Sequence, residues 1–324
     1  MDLVAIGRAG VDLYSLDYGK PLTEARRFAK YVGGTAANTV VGGSRLGLEC
    51  ALVSKVSDDE LGQFVLDFLS GEGVDVSHVI KDGRRKTGIV FAEVSPGRDG
   101  KFIFYRENVA DLRVTRSDVG KRLLSESRAL LVTGTGLSAS PSAGTVLWAE
   151  EEARALGKKV ILNLDWRPSL WKAPVAERLQ RYRKAMETSE VLVGNDKEYM
   201  AATGEDDLGS ALDAVPGMDS KVVAVTKGEK GSEVWVEGRK EAAEGFEVPL
   251  LKGLGGGDGF IAGFVFGLLA GWKPRRAAVF GNAVGAIVVT GHACSESMPS
   301  PRRVSRFLRK NGYDLDWKLG PLKR

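Results

Sequence analysis

The chain has 324 residues, 43% of them hydrophobic and 27% charged, with 46 Lys and Arg against 42 Asp and Glu. That composition suits a globular protein with a large core, and because the charges of both signs alternate along the chain, the net +4 is diffuse and argues against a nucleic-acid partner. No apolar run approaches the roughly 20 residues of a membrane span, no secretion leader is apparent, and Cys50 and Cys294 stand far apart without Cys or His at metal-ligand spacing, so the expectation is a cytoplasmic protein without disulfides or zinc.

In chain order, short runs rich in Val, Ile and Leu fall at 4–6, 52–56, 130–133, 160–164, 191–193 and 222–226. Stretches of helical period lie between and after them, at 36–46, 58–69, 142–155 and 258–269. This alternation predicts an α/β fold, a doubly wound and mostly parallel sheet with helices on both faces. One region interrupts it: apolar segments 87–94 and 101–106 flank the turn-forming residues 95–100, which reads as strand, turn, strand. With a second extended patch starting at Asp12, this predicts a small β lid built from about 12–32 and 87–108 on a single domain spanning 1–324. Near the end, Arg302, Arg303, Arg306, Arg309 and Lys310 read as the solvated face of a helix rather than an anion site.

In open parallel sheets ligands bind beyond the carboxyl ends of the strands, so polar residues directly after apolar runs are the first candidates. Asp12, Asp165, Arg167, Asn195, Glu198 and the turn Thr226-Lys227-Gly228 satisfy that condition. Taken singly, each serves equally well as a helix cap or turn residue. The sharpest local feature is Gly253-Leu254-Gly255-Gly256-Gly257-Asp258 opening an apolar helix. Successive glycines leave bare amides at a helix N-terminus, where unsatisfied donors and the dipole favour a phosphate-like anion. Beside it, Asp258 reads as either a general base or a cap. A second cluster, Gly33-Gly34-Thr35-Ala36-Ala37-Asn38, opens the helix at 36–46 and offers close backbone approach with an amide that both donates and accepts. Neither a Walker pattern nor a dinucleotide fingerprint occurs.

The order of these motifs resembles the ribokinase-like (PfkB) carbohydrate kinases over nearly the whole chain. The likeness rests on Gly33-Gly34 with Asn38, on Asn195-Asp196-Lys197-Glu198, on Thr226 to Gly231, and on Gly255-Gly256-Gly257-Asp258. Within that family Val4 to Ala9, Phe28 to Gly34, Tyr105-Arg106, Val109 to Leu112 and Ser295 to Pro299 resemble the branch that phosphorylates 5-dehydro-2-deoxy-D-gluconate in inositol breakdown. The resemblance implies an enzyme that uses ATP and Mg2+ to phosphorylate a sugar-acid hydroxyl. It implies Asp258 as base, with Gly255, Gly256 and Gly257 forming the anion hole. Asp12, Gly33, Gly34, Asn38 and Asp165 would hold the sugar, and Arg106 and Arg167 its carboxylate, with Lys30 and Tyr31 as weaker candidates. Asn195, Glu198, Thr226, Gly228, Gly231 and Asn282 would serve the nucleotide, Mg2+ being held through water near Asn195 and Glu198. His292 and Cys294 fall in a loop used near the adenine, where packing is the expected role. Two copies would pair through the lid. Family members often carry Asp-Thr ahead of the catalytic glycines; Lys252-Gly253 stand there instead, which leaves activation by a monovalent cation open. The alternatives are a kinase for 2-dehydro-3-deoxygluconate, a non-catalytic sugar or nucleotide sensor on the same fold, and a nicotinamide oxidoreductase, which lacks its glycine fingerprint.

Overall fold

The computed structural model describes residues 1–97 and 100–313. Arg98 and Asp99, which belong to the expected turn at 95–100, lie outside the described residues. Thirteen strands are formed by the described residues: β1 Leu3–Ile6, β2 Gly10–Ser15, β3 Phe28–Gly33, β4 Cys50–Ser57, β5 Val79–Asp82, β6 Ile89–Ala92, β7 Phe102–Tyr105, β8 Ala129–Thr133, β9 Lys159–Asn163, β10 Val191–Asn195, β11 Val222–Thr226, β12 Ser232–Val236 and β13 Arg239–Ala243. The helices are α1 Thr35–Leu46, α2 Glu60–Gly71, α3 Arg116–Val119, α4 Lys121–Glu126, α5 Ser142–Ala155, α6 Val175–Thr188, α7 Asp196–Thr203, α8 Leu208–Asp213, α9 Gly256–Leu269, α10 Pro274–Val289 and α11 Pro301–Lys310.

Nine strands form one sheet in the order β13-β12-β11-β10-β9-β8-β1-β4-β5. All neighbours from β11 to β5 are parallel, and β12 and β13 close one edge antiparallel. The doubly wound character is visible within β1. Its successive side chains point to opposite faces, so Leu3 and Ala5 join the core under α1, α2, α9, α10 and α11, while Val4 and Ile6 join the core under α3 to α8. Every residue of β1 and β8 is buried, which is why those strands read as unbroken apolar runs. The chain leaves β1 toward β4 and later returns on its other side as β8. That reversal opens a crevice at the carboxyl ends of β1 and β8, the position where such sheets bind ligands.

The remaining four strands form a separate sheet, β3-β2-β6-β7. Asp12 belongs to β2 in this second sheet, a strand that begins two residues earlier, at Gly10. Strand-turn-strand over β6 and β7 is observed as an antiparallel pair, stiffened on its outer face by Phe91 against Phe28 and Tyr105 at ring separations of 5.3 and 5.7 Å. A small core of Tyr14, Ala92, Val94, Leu254 and Cys294 ties this sheet to the loop ahead of α9. In α11 only Val304 and Leu308 are buried, and Arg302, Arg303, Arg306, Arg309 and Lys310 are exposed. No helix among the described residues is long and apolar enough to cross a membrane.

Candidate active site

One cleft of about 740 Å3 lies between the carboxyl ends of the main sheet and the four-stranded sheet. Its floor is the tip of α9. The helix can start abruptly because Gly255 at its N-cap has φ +83°, a conformation that side-chain-bearing residues rarely adopt. No side chain caps the tip, so its first amides remain available. At Gly257 an added Cβ would meet nothing within 4 Å, since that position faces the open cleft. The tip is held in register by the crossing of α9 on α10, where Gly259 and Gly263 pack so closely that an added Cβ would stand 2.9 Å from the Cα atoms of Gly285 and Gly281.

Asp258 sits in the first turn of α9. Its Oδ2 accepts a 2.6 Å hydrogen bond from Asn38 Nδ2 on α1, so two helix N-termini meet at this carboxylate. Burial lifts the Asp258 carboxyl to about 6, and nearby Asp165 adds to the effect, while the Asn38 hydrogen bond, Arg167 and Thr35 oppose it. A carboxyl poised there is ionised at neutral pH yet basic enough to accept a proton.

A second wall of the cleft carries two buried ion pairs. Arg8 Nη2 donates to Asp12 Oδ1 at 2.7 Å, and Arg106 pairs with Asp111. Both arginines are less than 8% exposed, yet among the described residues Arg8 Nε and Arg106 Nε and Nη1 have no hydrogen-bond partner. Burial lowers the Arg106 pKa from its ordinary value, Asp111 opposes this, and the like charge of Arg8 lowers it further. Buried guanidinium donors without acceptors are costly, and both of these side chains line the cleft.

On the third side Asp165, Arg167 and Glu198 form an ionic cluster. Arg167 approaches Asp165 at 3.3 Å and Glu198 at 4.0 Å, and Thr135 Oγ1 donates to Asp165 Oδ2 at 2.9 Å. Asp165 holds φ +36°, a strained conformation for a residue with a side chain. Burial raises the Glu198 carboxyl to about 7, with Arg167 and the Asn195 amide opposing and Asp165 and Asp258 adding to the rise. Asn195 and Glu198 also make a reciprocal capping box on α7: Asn195 Oδ1 accepts from the Glu198 amide at 3.0 Å, and Glu198 Oε2 accepts from the Asn195 amide at 2.9 Å. Beyond them, Thr226, Gly228 and Gly231 border a part of the cleft that Phe246, Ala286 and Val289 make apolar. There Asn282 donates to the carbonyls of Ala243 and Glu244 at 3.2 and 2.9 Å.

Of the catalytic, sugar-side and nucleotide-side residues expected from the sequence, all but Gly33, Lys30 and Tyr31 line this cleft. Gly33 lies behind Asp12: an added Cβ would stand 2.0 Å from the Asp12 carboxylate, so the glycine makes room for that side chain. Lys30 and Tyr31 do not line it. Lys30 Nζ lies 3.9 Å from the ring centroid of Phe64, and Tyr31 Oη bonds His292 Nδ1 at 2.9 Å. His292 is further fixed by the Ser15 carbonyl at 3.1 Å and by the rings of Tyr14 and Tyr18. Sequence reasoning gave no site role to Arg8, Thr35 or Thr135, which line the cleft as well. Arg8 and Thr135 follow β1 and β8, so the rule that selected Asp165 would have found them.

This doubly wound α/β fold is shared with a solved sugar kinase, and the family match defines the class, a carbohydrate kinase acting on a small-molecule sugar. The sequence profile of the pfkB family carbohydrate kinases matches residues 1–301, and the chain belongs to that family. It is 34% identical over 316 residues to the 5-dehydro-2-deoxygluconokinase of Geobacillus thermodenitrificans, covering 95% of this chain and 93% of the other. It is 32% identical over 318 residues to the 5-dehydro-2-deoxygluconokinase of Clostridium tetani, covering 96% and 93%. An uncharacterised sugar kinase from Pyrococcus horikoshii, solved in complex with ATP, superimposes with a TM-score of 0.82 at 26% identity, covering 93% of this chain and 96% of that one. An aminoimidazole riboside kinase from Salmonella enterica shares the fold, with a TM-score of 0.82 at 21% identity over 95% of this chain and 100% of that one.

Proposed function

We propose that the protein transfers the terminal phosphoryl group of ATP to a hydroxyl of 5-dehydro-2-deoxy-D-gluconate, giving the 6-phosphate. The activity is the one in the name of the Geobacillus relative, and ATP is the ligand of the Pyrococcus neighbour. The observation that carries an acidic substrate is the buried pair of Arg8 and Arg106, with orphan donors and repelling charges on the second wall of the cleft. A carboxylate entering between them takes parallel charge-assisted hydrogen bonds and removes both penalties.

With the acid so anchored, Asp12, Gly34, Asn38, Asp165 and Arg167 hold the rest of the sugar, Gly33 giving Asp12 its room. Asp258 accepts the proton of the attacking hydroxyl, and the bare amides of Gly256 and Gly257 beyond Gly255 stabilise the phosphoryl group as it passes. Thr226, Gly228, Gly231 and Asn282 border the nucleotide, whose base takes the apolar end of the cleft. Among the described residues no group of three His, Cys, Asp or Glu side chains could hold a metal directly. Glu198, Asp165 and Asp258 nevertheless share the single charge of Arg167, and that excess of negative charge fits a hydrated Mg2+ near Asn195 and Glu198. When bound, the ion neutralises charge on the nucleotide phosphates.

The same proposal takes residues 1–324 as one catalytic unit whose four-stranded sheet closes over the substrate and excludes water. It includes pairing of two copies through that sheet, supported by exposed Leu16, Ile103 and Tyr105 at 40%, 46% and 62%. A cytoplasmic site of action accords with two unpaired buried cysteines.

The test is release of ADP from ATP with a panel of 5-dehydro-2-deoxygluconate, 2-dehydro-3-deoxygluconate and neutral hexoses. The expected outcome is the highest kcat/KM with the first acid. A neutral sugar turned over as well as the acids removes the role given to Arg8 and Arg106, and no ATP consumption with any of them removes the reading as a whole.

A further inference from the structure

Lys252 is fully buried, at 0% exposure, in the loop that leads into α9. Among the described residues no carboxylate lies within 4.0 Å of its ammonium. Its contacts are neutral: Nζ donates to the Leu254 carbonyl at 2.6 Å and to Cys294 Sγ at 3.8 Å, and it stands 5.7 Å from the ring centroid of Tyr14. The surroundings are themselves tied down. Cys294 Sγ shares a 2.9 Å hydrogen bond with Tyr14 Oη and packs where a Cβ on Gly255 would fall, while the amides of Leu251 and Lys252 bond the Val289 carbonyl at the end of α10.

Two terms make this arrangement unfavourable as it stands. Removing an ammonium from water without an anionic partner is costly. The charge also stands near the N-terminus of a helix, the positive end of its dipole, where a cation is the wrong sign. Both terms reverse when an anion occupies the tip of α9. Pinning the Leu254 carbonyl requires no charge, and a hydroxyl or amide would serve equally, so anchoring of the loop does not account for an ammonium.

We propose that Lys252 is a tethered monovalent cation of the anion hole. It is a positioning residue: from beneath the cleft surface it adds fixed positive charge behind the amides of Gly256 and Gly257, and it holds the Leu254 carbonyl so that Gly255 can open the helix. This rests on the reading of the α9 tip as the phosphoryl site. Because the charge is covalently attached, catalysis requires no soluble monovalent cation.

The experiment measures turnover of ATP with 5-dehydro-2-deoxygluconate in choline, sodium, potassium and ammonium chloride at equal ionic strength, together with Tm. The wild-type rate is expected to agree within about twofold in all four salts, since the charge at the anion hole is fixed in place and its stabilisation does not depend on the bulk ion. Lys252→Met, which keeps length and loses charge, is expected to lower kcat about a hundredfold with little change in either KM. Its Tm should be equal to or above that of wild type, because an unpaired buried charge has been replaced by an apolar group. Lys252→Ala leaves a cavity, and its kcat should recover in part with ammonium or potassium but not with choline. A wild-type rate that depends on potassium overturns the inference, as does a Lys252→Met kcat close to wild type. So does a drop in Tm that accounts for the lost activity. Wild-type protein that consumes no ATP in any salt overturns this inference and the kinase reading together, whereas turnover with cation dependence removes only the role of Lys252.

Discussion

Two helix tips border the same cleft and are finished in opposite ways. The tip of α7 is closed by its own side chains, Asn195 and Glu198 exchanging hydrogen bonds with each other's amides. The tip of α9 begins on glycine and has no side-chain cap. A capping box satisfies donors locally and stabilises the helix by about 1 kcal/mol. Leaving the tip of α9 bare forgoes that stabilisation and keeps the donors for a ligand. On the proposed reading, the difference separates a helix end closed by its own side chains from one left open for a phosphoryl group, although polar residues at both had looked alike in the sequence.

The largest expected effect falls at the open tip. Asp258→Asn should lower kcat by roughly two to four orders of magnitude with nucleotide affinity nearly intact. Since burial holds the wild-type carboxyl at about 6 instead of the usual 3.8, the base form is lost below that pH. A profile of kcat/KM should therefore rise with pH up to about 6 and level off above it, a step absent from the variant. The same shift has a consequence for stability. Between about 4 and 6 the folded protein keeps a proton that the unfolded chain has released, so this carboxyl destabilises the fold increasingly as pH rises through that window. Asp258→Asn should thus show a Tm above wild type at pH 8, with the gain vanishing near pH 4. A flat profile, or a lower Tm at pH 8, would break the assignment.

Next in size is the wall that carries Arg8 and Arg106. Arg106→Met should raise KM for an acidic sugar by roughly 10- to 100-fold and for a neutral one far less, the worth of a charge-assisted contact. Equal effects on both would return Arg106 to a purely structural pairing with Asp111. A smaller change sharpens the contrast between the tips. Gly257→Ala adds a methyl that, beyond its own helix turn, meets no described atom within 4 Å and improves helix propensity by about 1 kcal/mol, so Tm should hold or rise while kcat falls about tenfold as the methyl intrudes on the anion hole. At the closed tip the pattern should invert: Asn195→Ala should cost about 1 kcal/mol of stability, read as a fall in Tm, with a smaller loss of kcat than at Gly257. A greater loss of kcat at Asn195 would mean that its amide serves the phosphates more than the helix.

Much of the main sheet was legible because β8 and β11 are buried on both faces and read as continuous apolar runs. Strand β13, Arg-Lys-Glu-Ala-Ala, carries no such pattern, and only its pairing with β12 makes it a strand. Helix α6 was missed for a related reason, since its charged surface face hides the few residues it buries, Tyr182, Ala185 and Met186. The glycine turn ahead of α9 was legible because glycines before an acidic first turn are a local signature. Arg8 was not selected, although its place after β1 qualified it, because nothing nearby in the chain marks its partner Arg106.

By itself the sequence determined the buried parallel strands of the main sheet and where a helix begins on bare amides, because those properties depend on neighbours a few residues apart. Tertiary structure alone decided that the buried like charges of Arg8 and Arg106 come together on one wall of the cleft, that Asn38 grips Asp258 from 220 positions away, and that Lys252 is buried with no carboxylate within 4.0 Å among the described residues. The reason is physical: desolvation and Coulomb interactions act through space, so the charge state and purpose of a side chain are set by groups that folding brings beside it.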